Sequence, residues 1–314
     1  MLKHYCLAGC MMFALAAANA QTAAQTLLKT NETPPAGTNG YAALHLFPYH
    51  TTPQQQAEWL RHPHTATDWE KLPHETDFAC PNKYDTDACT AHVRTHLPVF
   101  QAALPRHRAV LDNLDSLAQS DHISVPPQHF ETALLETTHF PAYATLLQTG
   151  RAAAITEWLS GKAQDALSRS CRHIKIGRMM LAHPQGLVQS ATGNALIRQH
   201  TELFAHILAQ HPESAHRLPA SCTAVFAPLP EQDMGLCRAM KYEYRSLAND
   251  MTADRPQTSG IPARLGAYWH GFKIKVLLRE NAEHAAFVCT DDALAQLRGD
   301  APFQTPVPRF SLGK

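Results

Sequence analysis

Residues 155–208, ITEWLSGKAQDALSRSCRHIKIGRMMLAHPQGLVQSATGNALIRQHTELFAHIL, carry the reading of the fold. Ile155, Leu159, Leu167, Ile174 and Leu181 recur at steps of four, seven and eight, and Ile197, Phe204 and Leu208 continue the pattern. Such spacing keeps apolar side chains on one face of a helix. Pro184 interrupts the run, and Gly150, Pro212 and Pro219 punctuate it on either side. Amphipathic helices separated by short breaks pack as antiparallel pairs.

The same period extends towards the N-terminus. Val93, Leu97, Phe100 and Leu104 form one run, Val110, Leu111, Leu114 and Leu117 a second, and Leu134, Leu135, Leu146 and Leu147 a third. Thr52-Pro53 predicts a short helix through Leu60, because proline is favoured in a first turn. Asp87 is the expected N-cap of a helix beginning near Ala88. The stretch from Tyr41 fits either a short strand or a helical turn. A later helix is expected over residues 231–248, strand character over 272–278, and a last short helix capped around Thr290. No fixed-period motif repeats, which argues against a solenoid. The fold class is therefore mostly α: an irregular multi-helix domain of antiparallel helix pairs, braced by disulfides, with little or no β structure.

The N-terminus reads as a secretory leader over residues 1–20. Lys3 and His4 precede an apolar run, and Ala18-Asn19-Ala20 supplies small residues before a cut at Gln21. The run is too short to span a bilayer. Leu7-Ala8-Gly9-Cys10 also resembles a lipobox, so the alternative is an outer-membrane lipoprotein anchored through Cys10. That cut would leave an apolar segment of only five residues, Tyr5 to Gly9, shorter than the roughly seven a signal peptide needs. The expectation is export to the periplasm or beyond, with no transmembrane segment in the mature chain.

Further organisation follows from composition. Residues 21–38 read as a flexible lead-in and 39–249 as the main helical domain, which includes a His-rich loop at 61–88. Residues 250–263 read as a linker and 264–314 as a C-terminal section ending in an extended, proline-bearing tail. Past the leader stand six cysteines: Cys80, Cys89, Cys171, Cys222, Cys237 and Cys289. An even set in an exported chain implies disulfides. Short loops close most cheaply, so the expected pairs are Cys80–Cys89 and Cys222–Cys237, with Cys171–Cys289 by elimination. No CxxC spacing supports a zinc ribbon.

Charge limits the functional classes. Lys+Arg and Asp+Glu are equal at 27 each, so no net field attracts nucleic acid. The basic segment SRSCRHIKIGRMM spreads Arg169, Arg172, Lys175 and Arg178 around a helix rather than along one stripe. Histidines number 20, yet a pH-dependent role requires specific buried ones, which composition does not identify. GxSxG, HExxH, Walker A and GxGxxG motifs are all absent.

Two candidate sites remain. Glu243 sits at the edge of a helical stripe of Leu236, Met240 and Leu247, where a partly buried carboxylate could serve as a general acid or base. His92 and His96 stand at i, i+4, which places two imidazoles on one helix face as metal ligands. His62, His64 and His74 could add ligands, though no spacing singles them out. No cofactor is implied. The expected function is an accessory or protein-interaction module meeting another envelope protein, with a hydrolase-like enzyme using Glu243 or a histidine site as the alternative.

Overall fold

The structure, a computed structural model, describes residues 23–29, 33, 35–62, 69–72, 78–81, 85–126, 142–253, 282 and 285–302. The leader, the run containing Leu134 and Leu135, His64, His74 and the 272–278 segment lie outside the described residues. Two compact units form. One is built from residues 34–234, the other from segments 1–33 and 235–314. Among the described residues the only β pairing consists of two isolated bridges, Asn39 with His122 and Tyr49 with Lys71.

The larger unit contains α2 (Tyr41–Leu46), α3 (Pro53–Arg61), α4 (Thr86–Thr95), α5 (Leu97–Ala103) and α6 (Arg108–Leu117). The long helices α7 (Tyr143–Leu159), α8 (Ala163–Ala182) and α9 (Leu187–Gln210) follow, then the short α10 (Ala220–Val225) and α11 (Glu231–Met234). Helices α7, α8 and α9 are its centre. Every residue of α7 from Thr149 to Trp158 is buried. A helix enclosed on all sides has no reason to be amphipathic, which is why its sequence reads TGRAAAITEW rather than as a stripe. Gly150, expected to break a helix, instead lies within α7. A Cβ there would collide with Nε2 of His173 on α8, so the missing side chain is what seats that imidazole.

Helices α8 and α9 form an antiparallel pair joined at Gly186, whose φ of 101° is a left-handed conformation that favours glycine. Their backbones meet at Gly177 and Gly193. A Cβ on Gly177 would stand 2.7 Å from the Gly193 carbonyl oxygen, and one on Gly193 would stand 2.8 Å from that of Gly177. On either side the pair buries Leu167, Ile174, Ile176 and Met180 of α8 and Leu196, Leu203 and Ile207 of α9.

The amphipathic stripes behave as their spacing predicts. Val110, Leu111, Leu114 and Leu117 are all buried. Thr52 caps α3 through a reciprocal box with Gln55, at 3.2 and 2.8 Å. Three boundaries move. The N-cap of α4 is Asp85, whose carboxylate accepts from Ala88 N at 2.9 Å, so the helix begins at Thr86 and Asp87 lies inside its first turn. The 93–104 stripe is divided at His96, because Pro98 starts the separate helix α5. The helix expected over 231–248 is interrupted between Met234 and Cys237.

The smaller unit comprises α1 (Ala23–Lys29), α12 (Cys237–Ala253) and α13 (Asp291–Arg298), the last capped by Thr290, which accepts from Ala293 N at 3.3 Å. Residues 23–29, read as part of a flexible lead-in, are helical because Leu28 buries against Tyr244 and Ala248 of α12, with Ala282 and Ala285. Helix α12 also runs into the 250–263 segment read as a linker.

All six cysteines are bridged, and each bridge closes within one unit. Cys80–Cys89 matches the expectation, with Cα atoms 5.0 Å apart. The other two correct it: Cys171 pairs with Cys222 and Cys237 with Cys289, at Cα separations of 5.2 and 4.6 Å. Loop entropy argued for Cys222–Cys237, but it rises by only about 0.6 kcal/mol per doubling of loop length. Packing overrides so small a preference. Cys222 lies on α10, which packs on α8 beside Cys171, whereas Cys237 opens α12 in the other unit.

Gly177→Ala should therefore cost about 1–3 kcal/mol by overpacking the α8–α9 seam. Urea unfolding would read this as a lower midpoint at an unchanged m-value.

Candidate functional site

Two features of the larger unit combine side chains in ways that demand a reason: a largely buried ionic cluster among α6, α7, α8 and α9, and a clamped loop that follows α10.

In the cluster, Glu157 of α7 and Arg169 of α8 form a two-pronged pair, with Nε donating to Oε2 at 2.9 Å and Nη2 to Oε1 at 2.7 Å. Both residues are buried. Burial pulls the Arg169 pKa down, but the Glu157 hydrogen bonds and charge outweigh it, and the net shift is upward. Asp115 of α6 accepts from Arg172 Nε at 2.7 Å and lies 3.6 Å from Arg169 Nη1. One turn along α8, His173 Nδ1 donates to the Arg169 carbonyl at 3.0 Å. Its ring stacks on His200 of α9, with centroids 4.5 Å apart and planes 23° apart. Among the described residues, Nε2 of His173 and both ring nitrogens of His200 lack a hydrogen-bond partner.

Burial pushes the His173 pKa down to about 4. It drives His200 down as well, assisted by His173, Arg151 and Arg169. Arg151 is itself fully buried and pushed down to about 10 by burial, against the attraction of Asp85 and Glu202. At neutral pH the histidines are uncharged and the arginines charged. Glu157, Arg169, His173, His200 and Arg151 are buried, Asp115 and Arg172 are partly exposed, and the cluster ties α6, α7, α8 and α9 together.

The clamped loop is accessible. Arg178 of α8 donates from Nη1 to the carbonyls of Val225 and Ala227, at 3.3 and 2.7 Å, and from Nη2 to that of Pro228 at 3.3 Å. Cys171–Cys222 pins α10 immediately before it. The loop presents Phe226 at 42% exposure, and Met234 of α11 follows at 48%. Phe226 leans on Phe204 of α9, with ring centroids 4.6 Å apart. An apolar group held outward by a fixed backbone is already ordered before any partner arrives, which lowers the entropy cost of docking.

The residues singled out from sequence belong to neither feature. Glu243 is half-buried on α12 of the smaller unit, next to Tyr242. The Tyr242 phenol is pushed up to about 12, first by burial and then by the Glu243 charge. The buried side of α12 runs through Ala239, Tyr244 and Ala248, one residue away from the stripe that placed Glu243. His92 and His96 face each other at the end of α4. Among the described residues, no group of three or more His, Cys, Asp or Glu side chains is arranged to hold a metal ion. The basic segment resolves into separate duties: Arg169 binds Glu157, Arg172 binds Asp115, and Arg178 clamps the loop. The clamp itself was not legible. Nothing local in the sequence connects this loop to an arginine about 50 residues earlier.

The chain matches no protein-family model, no curated protein and no solved structure.

Replacing Glu157 by Gln should cost about 3–5 kcal/mol, since Arg169 would keep its charge in a buried site. Acid should also destabilise the fold. The unfolded chain binds protons at His173 and His200 below about pH 6.5, while the native state resists until about pH 4 for His173. Stability is therefore complete above that window and falls as pH drops through it, by about 3 kcal/mol for His173 alone at about 1.4 kcal/mol per pH unit. Urea titrations between pH 7 and 4 should show the decline, and His200→Leu should make it shallower.

Proposed function

We propose that this chain is an exported accessory protein of the cell envelope that acts by binding another envelope protein, and that residues 225–234, the clamped loop together with α11, are where it docks. The observation that carries the reading is Phe226: a large apolar side chain, 42% exposed and resting on Phe204, on a backbone held by three Arg178 hydrogen bonds and a neighbouring disulfide. Three bridges fit an oxidising compartment, and among the described residues no helix is long and apolar enough to cross a membrane. The leader supports export through residues 1–20, with periplasmic residence preferred over a lipid anchor at Cys10.

A rigid loop with an aromatic tip suits a preformed pocket on a partner, because large aromatic anchors dominate interface energetics. Arg178 belongs to the device. Without its guanidinium, the carbonyls of Val225, Ala227 and Pro228 lose their shared donor and the loop loses its fixed shape.

A photo-crosslinking residue placed at 226 or 234 should trap a discrete envelope protein in living cells, and one at the exposed Gln101 should not. Arg178→Ala should weaken the trapping while leaving thermal stability nearly unchanged. Equal trapping at all three positions, or none at 226 and 234, would overturn the reading.

A further inference from the structure

We infer that His92 and His96 form a two-imidazole site for a late first-row divalent metal ion, at the junction of α4 and α5. The site is separate from the docking loop and does not depend on it.

Three observations converge. The first is distance. The two ring centroids stand 4.5 Å apart, with planes tilted by 40°. Imidazoles bound cis to one ion at about 2.0–2.1 Å, each ring centre roughly 1.1 Å beyond its nitrogen, have centres about 4.5 Å apart. The two rings are close enough that turning their nitrogens towards one ion asks for side-chain rotation rather than movement of the helix.

The second is the tautomer. His96 Nδ1 lies 3.0 Å from the His92 carbonyl oxygen, which can only accept. Nδ1 therefore carries the proton, and in the neutral ring Nε2 keeps the lone pair a metal needs. A histidine ligand held by a backbone carbonyl through its other nitrogen is the usual support of metal sites. The same bond folds the His96 ring back towards His92.

The third is the place in the fold. His96 is the C-cap of α4, and its own N–H donates to the same His92 carbonyl at 3.1 Å. The edge of Phe100 walls one side of His92, with centroids 5.7 Å apart. His96 is exposed and His92 half-buried, so the site opens to solvent. Two protein nitrogens leave the remaining coordination positions to water. That arrangement suits Cu²⁺ first and Ni²⁺ or Zn²⁺ after it, by the general order of affinities.

The test is a Cu²⁺ titration of the full exported chain by calorimetry against a weak competing chelator, with electron paramagnetic resonance of the one-equivalent complex. The wild type should show one site tighter than the histidine background, with a spectrum reporting nitrogen ligands. His96→Asn and His92→Asn should each weaken that site by about tenfold or more, whereas His206→Asn, an exposed histidine on α9, should leave it unchanged. Cu²⁺ should raise the melting temperature of the wild type and not that of His96→Asn. His96 lies outside the core, so this variant decides the matter even if His92→Asn folds poorly. A tightest site that survives both substitutions, or a chain that retains no Cu²⁺ against the chelator, overturns the inference.

Discussion

The larger unit depends on how closely α8 approaches α9. Gly177 and Gly193 place backbone against backbone, each blocking the space a Cβ on the other would need. Close approach lets flanking side chains interdigitate instead of propping the helices apart. It also sets the position of every side chain that α8 carries into the core. His173, four residues before Gly177, can stack on His200 and press into Gly150 only because the helix axes are this near. Three glycines on three helices thus replace volume that a larger residue would have forced outward.

An apolar core alone would not orient these helices uniquely, and the ionic cluster adds direction. The Glu157–Arg169 pair joins α7 to α8, and Asp115 ties α6 to the same helix through Arg172. Buried pairs contribute little net stability, because desolvation offsets most of the attraction, but they penalise any packing that separates the partners. The histidines behave in the opposite way to the arginines. They stay neutral because burial disfavours their charged form, so the same core tolerates permanent cations that are paired and rejects titratable ones that are not. A chain rich in histidine acquires in this way a core sensitive to acid.

Helix α8 links the core to the surface. Its buried side holds Arg169 and His173, and further along it Arg178 reaches out to grip the loop after α10. The Cys171–Cys222 bridge springs from the same helix. One rigid rod therefore carries both the determinants of folding and the mounting of the exposed Phe226.

Some of this was written in local sequence. Steps of three, four and seven marked the helices because a helix buries one face with that period, and the stripe of α6 went inward as its spacing requires. The start of α3 was legible from Pro53 in its first turn, and the cap at Thr290 because a cap is a contact between residues three apart. An even set of cysteines announced disulfides, since an oxidising compartment pairs what it can. Other features were decided only in three dimensions. Gly150 reads as a breaker until His173 occupies the space it leaves. Cys171–Cys222 spans 51 residues, and only the packing of α10 on α8 selects it over a shorter loop. The Arg178 clamp joins residues 47 to 50 positions apart. Local sequence records interactions within about one helical turn. Contacts between distant segments depend on how complete helices pack, and no single stretch of the chain contains that information.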